Sequence, residues 1–445
     1  MSTRPNLSGL QIFAYGLPGL PLAAVYLPLV VFLPTFYSRD LGLELAVVGG
    51  VLLLARLWDV VTDPIIGGLS DRFDSRFGRR RPWLLIGAPV LALSIYALFI
   101  PTAPVGGGYL LVWAMVLYLA WTAITLPYQA WGAELSDEYH GRSRLTAARE
   151  TCVLLGTLLT LALPMILSIS VIEAGAGVMN AIAWVTIGLL PITIGIALAV
   201  VPDSRVGLRA PVGFRQGLRV MAANRPFRRL LLAWLVNGAA NGFPATLFIL
   251  FVTHGLGLPD KAGLLLFVYF LAGVAGVPVW LLISYRLGKH RTWALAMLWA
   301  SLAFVWVPLL GVGDFWAFLA ISILSGLALG ADLSLPSSIQ ADVIDVDALQ
   351  TGTRRSGIYF ALWGMATKLS LALAVGIAFP LLGLVGFSTD GGNEPMALTV
   401  LALLYGLVPV GLKLIATAIV WNFPLDSDAQ AEMRQRLKSG ASENA

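Results

Sequence analysis

The chain has 445 residues, of which 58% are hydrophobic and only 12% are charged, and its mean hydropathy is +0.83. Soluble domains carry roughly 25% charged residues, so this composition excludes an ordinary soluble protein and indicates an integral membrane protein. The formal net charge is +5. We attribute this charge to membrane topology and expect no nucleic-acid partner, because the basic residues cluster in alternate loops.

Hydrophobic stretches predict the membrane spans in chain order. A chain of this length has room for about twelve helices of roughly 20 residues. The predicted spans are residues 10–37, 44–70, 82–101, 108–135, 146–171, 178–201, 227–253, 261–285, 291–311, 315–341, 356–384 and 395–422. No period-two pattern of about ten residues indicates the strands of a membrane barrel. The sequence therefore predicts an all-α protein embedded in a lipid bilayer.

The loops predict the orientation of these spans. Arginine and lysine occur in every second loop, whereas the other loops carry only Arg39 and Lys261. By the positive-inside rule, the basic loops and both termini are expected in the cytoplasm. No cleavable signal peptide is expected, since residues 1–8 lead directly into a span too long for a signal-peptide core.

The chain divides into two halves that resemble each other. The stretch GGLSDRFDSRFGRRRPW at 67–83 follows the second span, and GVPVWLLISYRLGKHRTW at 276–293 follows the eighth. Repeats of this kind suit a transporter that moves two halves against each other, although a duplicated scaffold is the alternative. The predicted domains are an N-terminal six-helix bundle at 1–201, a cytoplasmic linker at 202–226, a C-terminal six-helix bundle at 227–423 and a cytoplasmic tail at 424–445.

Charges inside the second span point to a cation site. Arg56, Asp59 and Asp63 are spaced i, i+3 and i+7, so they share one helix face over roughly 10 Å. Two unsolvated carboxylates one turn apart repel each other unless a cation lies between them or one of them is protonated. Oxygen ligands suit a hard cation such as Na+, and Thr62 offers a further oxygen. A purely structural Arg-Asp cluster is the alternative interpretation.

Four segments carry a resemblance to a known family. They are RLWDVVTDPIIGGLSDR, GRRRPWLLIG, RLTAAR and LPSSIQADVIDVDALQTGTRRSGIYFALWGMATK, in this order along the chain. Together they resemble the major facilitator superfamily and, within it, the glycoside-pentoside-hexuronide:cation symporter family. The resemblance implies twelve transmembrane helices in two pseudo-symmetric six-helix bundles. It also implies cation-coupled symport by alternating access, in a monomer of the bacterial inner (plasma) membrane.

The resemblance assigns roles to individual residues. Family members bind the coupling cation with an acidic pair on the second helix and a threonine on the fourth, which match Asp59, Asp63 and Thr122. Arg56 is expected to pair with one carboxylate during the transport cycle. Lys368 matches a family lysine near the cation site and would couple that site to the substrate.

Further side chains are candidates for binding substrate. Arg149 matches a family arginine that reaches substrate, although an arginine at the membrane interface is the alternative. Asp332 is an intramembrane acid, which we expect either to bind substrate or to pair with Lys368. Hydroxyl, amide and aromatic side chains that suit a sugar are the remaining candidates: Tyr26, Trp121, Thr125, Tyr128, Gln129, Asn241 and Trp363. Lipid-facing positions are the alternative for each aromatic residue.

The loops after the second and tenth spans predict a gate. The segment DRFDSRFGRRRP has the acidic-basic-glycine pattern that latches the cytoplasmic faces of superfamily members. The matching positions are Asp71, Arg72, Gly78 and Arg79. In the second half we expect Asp342 and Asp345 to pair with Arg354 and Arg355. Because gating must break such pairs, we expect them to be solvent-accessible.

Departures from the sugar-transporting members bear on the substrate. The first span contains no acid, and Thr125 and Gln129 stand where those members have an acid and a tryptophan. A galactoside is therefore not expected. With Arg149 and Lys368 retained, the site favours a small solute with an anionic group, such as a uronate, a phosphorylated sugar or an organic acid.

Other functions remain as alternatives. One is a lipid or lysolipid transporter of the same fold, and another is a membrane assembly factor or sensor that transports nothing. An enzyme is not expected, since no nucleophile with a nearby base and no phosphate-binding loop is visible. Cys152 is alone, and His140, His254 and His290 are scattered, so no disulfide, metal or cofactor is expected beyond a coupling Na+ or H+.

Overall fold

The computed structural model describes residues 7–73, 75–102, 104–136, 138–166, 176–203, 221, 223–351, 355–388 and 391–425, and these are nearly all helical. The first span is a chain of short pieces: Gly9–Gly16, Gly19–Leu27, Pro28–Phe32, Leu33–Thr35 and Phe36–Asp40. The next five are Leu45–Arg72, Arg81–Phe99, Gly107–Leu135, Tyr139–Ile166 and Ala176–Val200. The last six are Arg225–Leu250, Ala262–Leu287, Lys289–Phe304, Phe315–Thr351, Ser356–Leu384 and Pro395–Trp421.

These helices confirm the predicted fold class. Within the described part of the chain, eleven helical segments are long and apolar enough to cross a membrane. Leu45–Arg72 is a further helix of 28 residues, and it carries the charged residues of the second predicted span. The chain therefore has the architecture of a helical polytopic membrane protein.

Proline explains why the first span is irregular. Pro18 precedes the second helical piece, Pro28 begins a π-helical turn, and Pro34 lies in the short piece that follows. Proline has no backbone N–H and clashes with the preceding turn, so it interrupts regular α-helical hydrogen bonding. The side chains of the first span therefore do not follow a single α-helical periodicity along its length.

The chain forms two compact units. The first contains residues 1–217 and 347–362, and the second contains residues 218–346 and 363–445. The linker prediction for 202–226 stays a prediction, because residues 204–220 and 222 lie outside the described residues.

Each unit has its own apolar core. In the first unit the core includes Tyr15, Leu91 and Ile182. In the second unit the rings of Phe251 and Tyr405 stack with centroids 4.6 Å apart.

Glycines allow backbones to approach closely inside each unit. In the first unit, a Cβ atom on Gly156 of the fifth span would lie 2.1 Å from Leu20 O of the first span. In the second unit, a Cβ atom on Gly330 of the tenth span would lie 2.4 Å from Val277 N of the eighth. Small residues at such crossings are the usual means of packing helices in membranes.

We expect Gly330→Ala to destabilise the protein, because the added methyl group meets backbone atoms that cannot rotate away. The expected cost is about 1–3 kcal/mol, seen as a lower Tm of the purified protein. Gly376→Ala is the matched control, since nothing lies within 4 Å of a Cβ atom on that helical glycine. Equal Tm values for the two variants would contradict the close approach of the eighth and tenth spans.

Candidate functional site

The second and fourth spans bring three side-chain oxygens together in the first unit. Asp59, Asp63 and Thr122 are 3%, 2% and 2% exposed. The Thr122 hydroxyl lies 3.1 Å from Asp59 Oδ1 and 2.9 Å from Asp63 Oδ1. A hydroxyl has a single proton and so donates to one of these carboxylates at a time. The arrangement suits a cation or a shared proton that offsets the repulsion between the two acids.

Arg56 lies at the edge of this acidic pair rather than between its members. Its Nη1 atom is 4.0 Å from Asp59 Oδ2, at the outer limit of an ion pair. The guanidinium stacks over the Tyr118 ring at 4.8 Å and lies 5.9 Å from the centre of the Tyr26 ring. One arginine at this distance balances at most one of the two negative charges.

Other predicted residues of the second and fourth spans have local partners. Thr62 donates to Asp59 O at 3.1 Å, and Thr125 donates to Trp121 O at 2.9 Å, so both hydroxyls bind their own helix backbone. Trp121 packs against Tyr26, with ring centroids 6.1 Å apart. Tyr26 is 44% exposed, so this aromatic pair reaches the surface of the unit beside Arg56.

Tyr128 ties the fourth span to the first. It is fully buried, and its hydroxyl donates to the carbonyl of Tyr15, while the Tyr15 hydroxyl donates to Tyr128 O at 3.2 Å. The neighbouring candidate Gln129 is half-buried. Tyr128 thus has a structural bond in addition to its predicted substrate role.

Arg149 is buried rather than interfacial. It is 5% exposed, and its Nε atom donates to Glu150 Oε1 at 2.9 Å. Glu150 directly follows the RLTAAR segment and was not among the predicted site residues. An anionic solute that binds Arg149 must compete with this carboxylate.

The predicted gate of the first half is a buried network. The Asp71 carboxylate accepts hydrogen bonds from Gly357 N at 2.8 Å and Ile358 N at 3.0 Å, at the start of helix Ser356–Leu384. Arg80 donates to Asp71 at 2.8 Å and to Glu134 at 2.6 Å. Burial opposes the charge on Arg80, but Glu134 and Asp71 outweigh it and raise the pKa of the guanidinium. The sequence analysis missed both Arg80 and Glu134.

The expectation that these pairs are solvent-accessible is wrong. Asp71 and Arg79 are 8% and 5% exposed, and Arg80 is fully buried. Close backbone contact explains this, because a Cβ atom on Gly67 would lie 2.7 Å from Gly357 O. With no side chain between the two backbones, water is excluded from the ion pairs.

Two other predicted gate positions differ in environment. Arg72 is exposed at the end of the second span. Gly78 has a positive φ of 98°, and the carboxylate of Asp203 occupies the place of a Cβ atom. Only glycine suits this position, which explains the glycine of the motif in local terms.

The pairing expected in the second half is also different. Asp342 pairs with Lys289 at 2.5 Å, and Arg355 pairs with Asp347 at 3.3 Å. Asp345 is buried, and Arg354 lies outside the described residues. Burial raises the pKa of Asp347 to about 6; Arg355 lowers it, and Asp71 raises it.

A second buried polar cluster lies in the second unit. Asp332 accepts hydrogen bonds from Lys413 at 2.9 Å, from Trp293 Nε1 at 2.7 Å and from Asn241 at 3.2 Å. Lys413 also donates to Asn237 at 2.8 Å. Lys413 is thus a structural partner of Asp332, for which the sequence left open either substrate binding or pairing with Lys368.

Two further residues of this unit, Trp363 and Lys368, were predicted to bind substrate. Trp363 stacks on Trp234 with centroids 4.4 Å apart, and Trp234 Nε1 donates to Thr367 at 2.9 Å. Lys368 is half-buried. Among the residues described, no group of three or more His, Cys, Asp or Glu side chains has a metal-binding arrangement.

Comparison with known structures identifies the fold. The chain superposes on a crystal structure of the major facilitator superfamily transporter FucP in an outward conformation with a TM-score of 0.62 and 14% sequence identity. The match covers 92% of this chain and 97% of the other. The fold is therefore that of the major facilitator superfamily, as predicted.

Sequence comparison then gives the family. A family model described as MFS/sugar transport protein matches residues 14–427, and the chain belongs to this family of membrane transporters. The chain is 25% identical to a sodium-dependent lysophosphatidylcholine symporter 1 of Gallus gallus, over 98% of this chain and 90% of that relative. It is also 25% identical to a glucuronide carrier protein homolog of Escherichia coli, over 94% and 93% of the two chains.

We expect Arg80→Gln to destabilise the protein strongly, because two buried carboxylates would lose the nearer of the two arginines that they share; Arg79 lies 3.3 Å from Asp71 and 4.0 Å from Glu134. The expected cost is about 3–5 kcal/mol, measured as a lower Tm. Arg144→Gln, at an exposed arginine of the fifth span, is the control and should change stability by about 0.5 kcal/mol or less. Indistinguishable Tm values would contradict the structural importance of the network.

We expect Asp347→Asn to weaken the pH dependence of stability. The pKa of Asp347 in the folded protein is about 6 and lies above its ordinary value of 3.8. Its contribution is therefore complete below the ordinary pKa and is lost as the pH rises through 6. Between about pH 5 and about pH 7, wild-type Tm should fall more than that of the variant. Asp260→Asn, at an exposed loop acid, should keep the wild-type profile, and the same profile in Asp347→Asn would refute the assignment.

Proposed function

We propose that this protein is a cation-coupled symporter for a small polar solute that carries an anionic group, such as a sugar-derived acid or another organic anion. The observation that carries the proposal is the buried cluster of Asp59, Asp63 and Thr122. Each intramembrane charge costs about 2.5–3.5 kcal/mol at a helix centre, so two buried acids one helical turn apart favour the binding of a positive charge between them. A bound Na+ or H+ supplies that charge.

The donor set fits a hard monovalent cation. Carboxylate and hydroxyl oxygens from two spans converge within hydrogen-bonding distance, and oxygen donors are those that alkali cations prefer. Asp59 and Asp63 would hold the ion through carboxylate oxygens, and Thr122 would offer its hydroxyl oxygen as a further ligand. Arg56 lies over the aromatic rings of Tyr118 and Tyr26.

The solute class rests on cationic side chains and on the relatives. Arg149 and Lys368 are both basic residues within helical spans. Lysophosphatidylcholine contains a phosphate and a glucuronide contains a carboxylate, so the compounds named for both relatives share an anionic oxygen group. Arginine and lysine recognise such groups by charge-assisted hydrogen bonds. We place the protein in the plasma membrane, with its basic loops and both termini in the cytoplasm.

A lysolipid transporter is the second candidate. It is supported by the Gallus gallus relative, whose similarity extends over 98% of this chain. This candidate shares the cation site but requires a solute with a long acyl tail, so uptake measurements separate it from the first candidate.

We expect Na+ to raise the Tm of the wild-type protein and not that of Asp59→Asn or Asp63→Asn. Binding to the folded state stabilises it by about 2.7 kcal/mol when the ion is at 100 times its Kd. Asp260→Asn removes an exposed acid and should respond to Na+ as the wild type does. A wild-type pH response that is reduced in both site variants to the part contributed by Asp347 would identify H+ as the coupling ion.

Uptake into proteoliposomes under a Na+ gradient then tests transport itself. Labelled glucuronate, an organic acid and lysophosphatidylcholine are compared in the wild type, the two site variants and Asp260→Asn. Uptake at wild-type level and with wild-type cation dependence in Asp59→Asn would contradict the cation site. No uptake of any solute, with no Na+ or pH response, would favour a membrane assembly factor or sensor.

A further inference from the structure

The polar cluster of the second unit is assembled from four different spans. Asn237 and Asn241 come from the seventh span, Trp293 from the ninth, Asp332 from the tenth and Lys413 from the twelfth. Asp332 and Lys413 are 5% and 7% exposed. The cluster thus brings polar side chains from four spans together inside an apolar bundle.

Stability alone does not explain this ion pair. Replacing a buried ion pair with apolar residues of similar volume is often neutral or stabilising, because the lost solvation of both charges offsets their attraction. Charged residues within membrane spans usually mark a path or a binding site for a solute or an ion. Asp332 and Lys413 balance each other, so this cluster, unlike the acidic pair of the first unit, has no need of an added cation.

Two buried donors on the spans that form the cluster have no hydrogen-bond partner among the described residues. They are Asn237 Nδ2, on a residue of the cluster itself, and the Thr417 hydroxyl. Thr417 lies four residues after Lys413 and so shares its helix face. An unpaired buried polar group is costly, so these two donors favour the binding of an added acceptor oxygen.

Indole rings form an apolar wall beside these donors. The ring centroid of Trp234 lies 6.5 Å from that of Trp293 and 4.4 Å from that of Trp363. Trp293 Nε1 is bonded to Asp332, and Trp234 Nε1 to Thr367, so the polar edges of both rings are satisfied. Flat aromatic faces next to a carboxylate, an ammonium and two amides match a ring compound with apolar faces and hydroxyl groups at its edge.

We propose a subsite that binds two neighbouring hydroxyl groups of the transported solute and is formed by Asp332, Lys413, Asn237 and Thr417. This inference rests on the proposed symport function. One hydroxyl donates to Asp332, and the other accepts from Lys413 and Asn237 Nδ2. Each hydroxyl both donates and accepts, so the ion pair stays charge-balanced when the solute is bound. A carboxylate or phosphate at the same place would add an uncompensated negative charge next to Asp332, so the anionic group of the solute binds elsewhere.

The test uses a charge-balanced variant, Asp332→Asn with Lys413→Met, which leaves no unpaired buried charge. Single variants at these positions risk misfolding because each isolates one charge. Ser325→Ala is the matched control on the tenth span, since the Ser325 hydroxyl donates only within its own helix, to Ile321 O at 2.7 Å and Ser322 O at 3.4 Å. The readout is Tm of the purified protein in Na+, titrated with glucuronate, cyclohexanecarboxylate or lysophosphatidylcholine.

We expect wild-type protein and Ser325→Ala to bind glucuronate more tightly than cyclohexanecarboxylate, which has the same charge and ring size but no hydroxyl groups. The double variant should bind glucuronate about 10- to 100-fold more weakly, as expected for lost hydrogen bonds to charged groups. Its Tm shift with Na+ should equal that of the wild type.

Three results would overturn the subsite. They are wild-type glucuronate affinity in the double variant, equal wild-type binding of the two ring acids, and a wild-type response confined to lysophosphatidylcholine, which has a single free hydroxyl. A missing Na+ shift in the wild type would instead count against the cation site. The two proposals therefore fail through different measurements.

Discussion

The repulsion between Asp59 and Asp63 is the constraint on which the function of this protein depends. Both acids are buried, and the Thr122 hydroxyl reaches both of them. An apolar span tolerates such a pair only if its charge is compensated, because removing charged groups from water is costly. In the proposed symporter, the cation site is formed by the placement of the second span against the fourth.

The two units hold their intramembrane charges in different ways. The first brings two carboxylates together, with Arg56 4.0 Å from Asp59, and in the proposed symporter the coupling ion binds there. The second has Asp332 bonded directly to Lys413, and so is balanced without an ion. An unbalanced centre selects a ligand by its charge, whereas a balanced centre selects by the geometry of hydrogen bonds. A symporter needs both kinds of selection, one for the ion and one for the solute.

The sequence predicted best those features that depend on local spacing. The shared face of Asp59 and Asp63 follows from helical periodicity, whereas Thr122 was one of several threonines that could add an oxygen until family resemblance singled it out. Lys413 was missed, although a lysine within GLKLIATAIVW is a signal of the same kind as Asp332. The partnership of Arg80 with Glu134 joins residues 54 positions apart, and no local pattern encodes such a contact. The burial of the gate depends on the missing side chains of Gly67 and Gly357, which spacing alone does not reveal.

The bond between Asp71 and the start of helix Ser356–Leu384 has a consequence for how sequence change is tolerated. Asp71 binds the backbone N–H groups of residues 357 and 358 and not their side chains. Replacing the Ile358 side chain thus leaves its donor in place, unless proline removes the N–H. Insertion or deletion of a residue between the tenth and eleventh spans would shift the register of both donors. Between the tenth and eleventh spans, substitutions are therefore tolerated better than insertions or deletions.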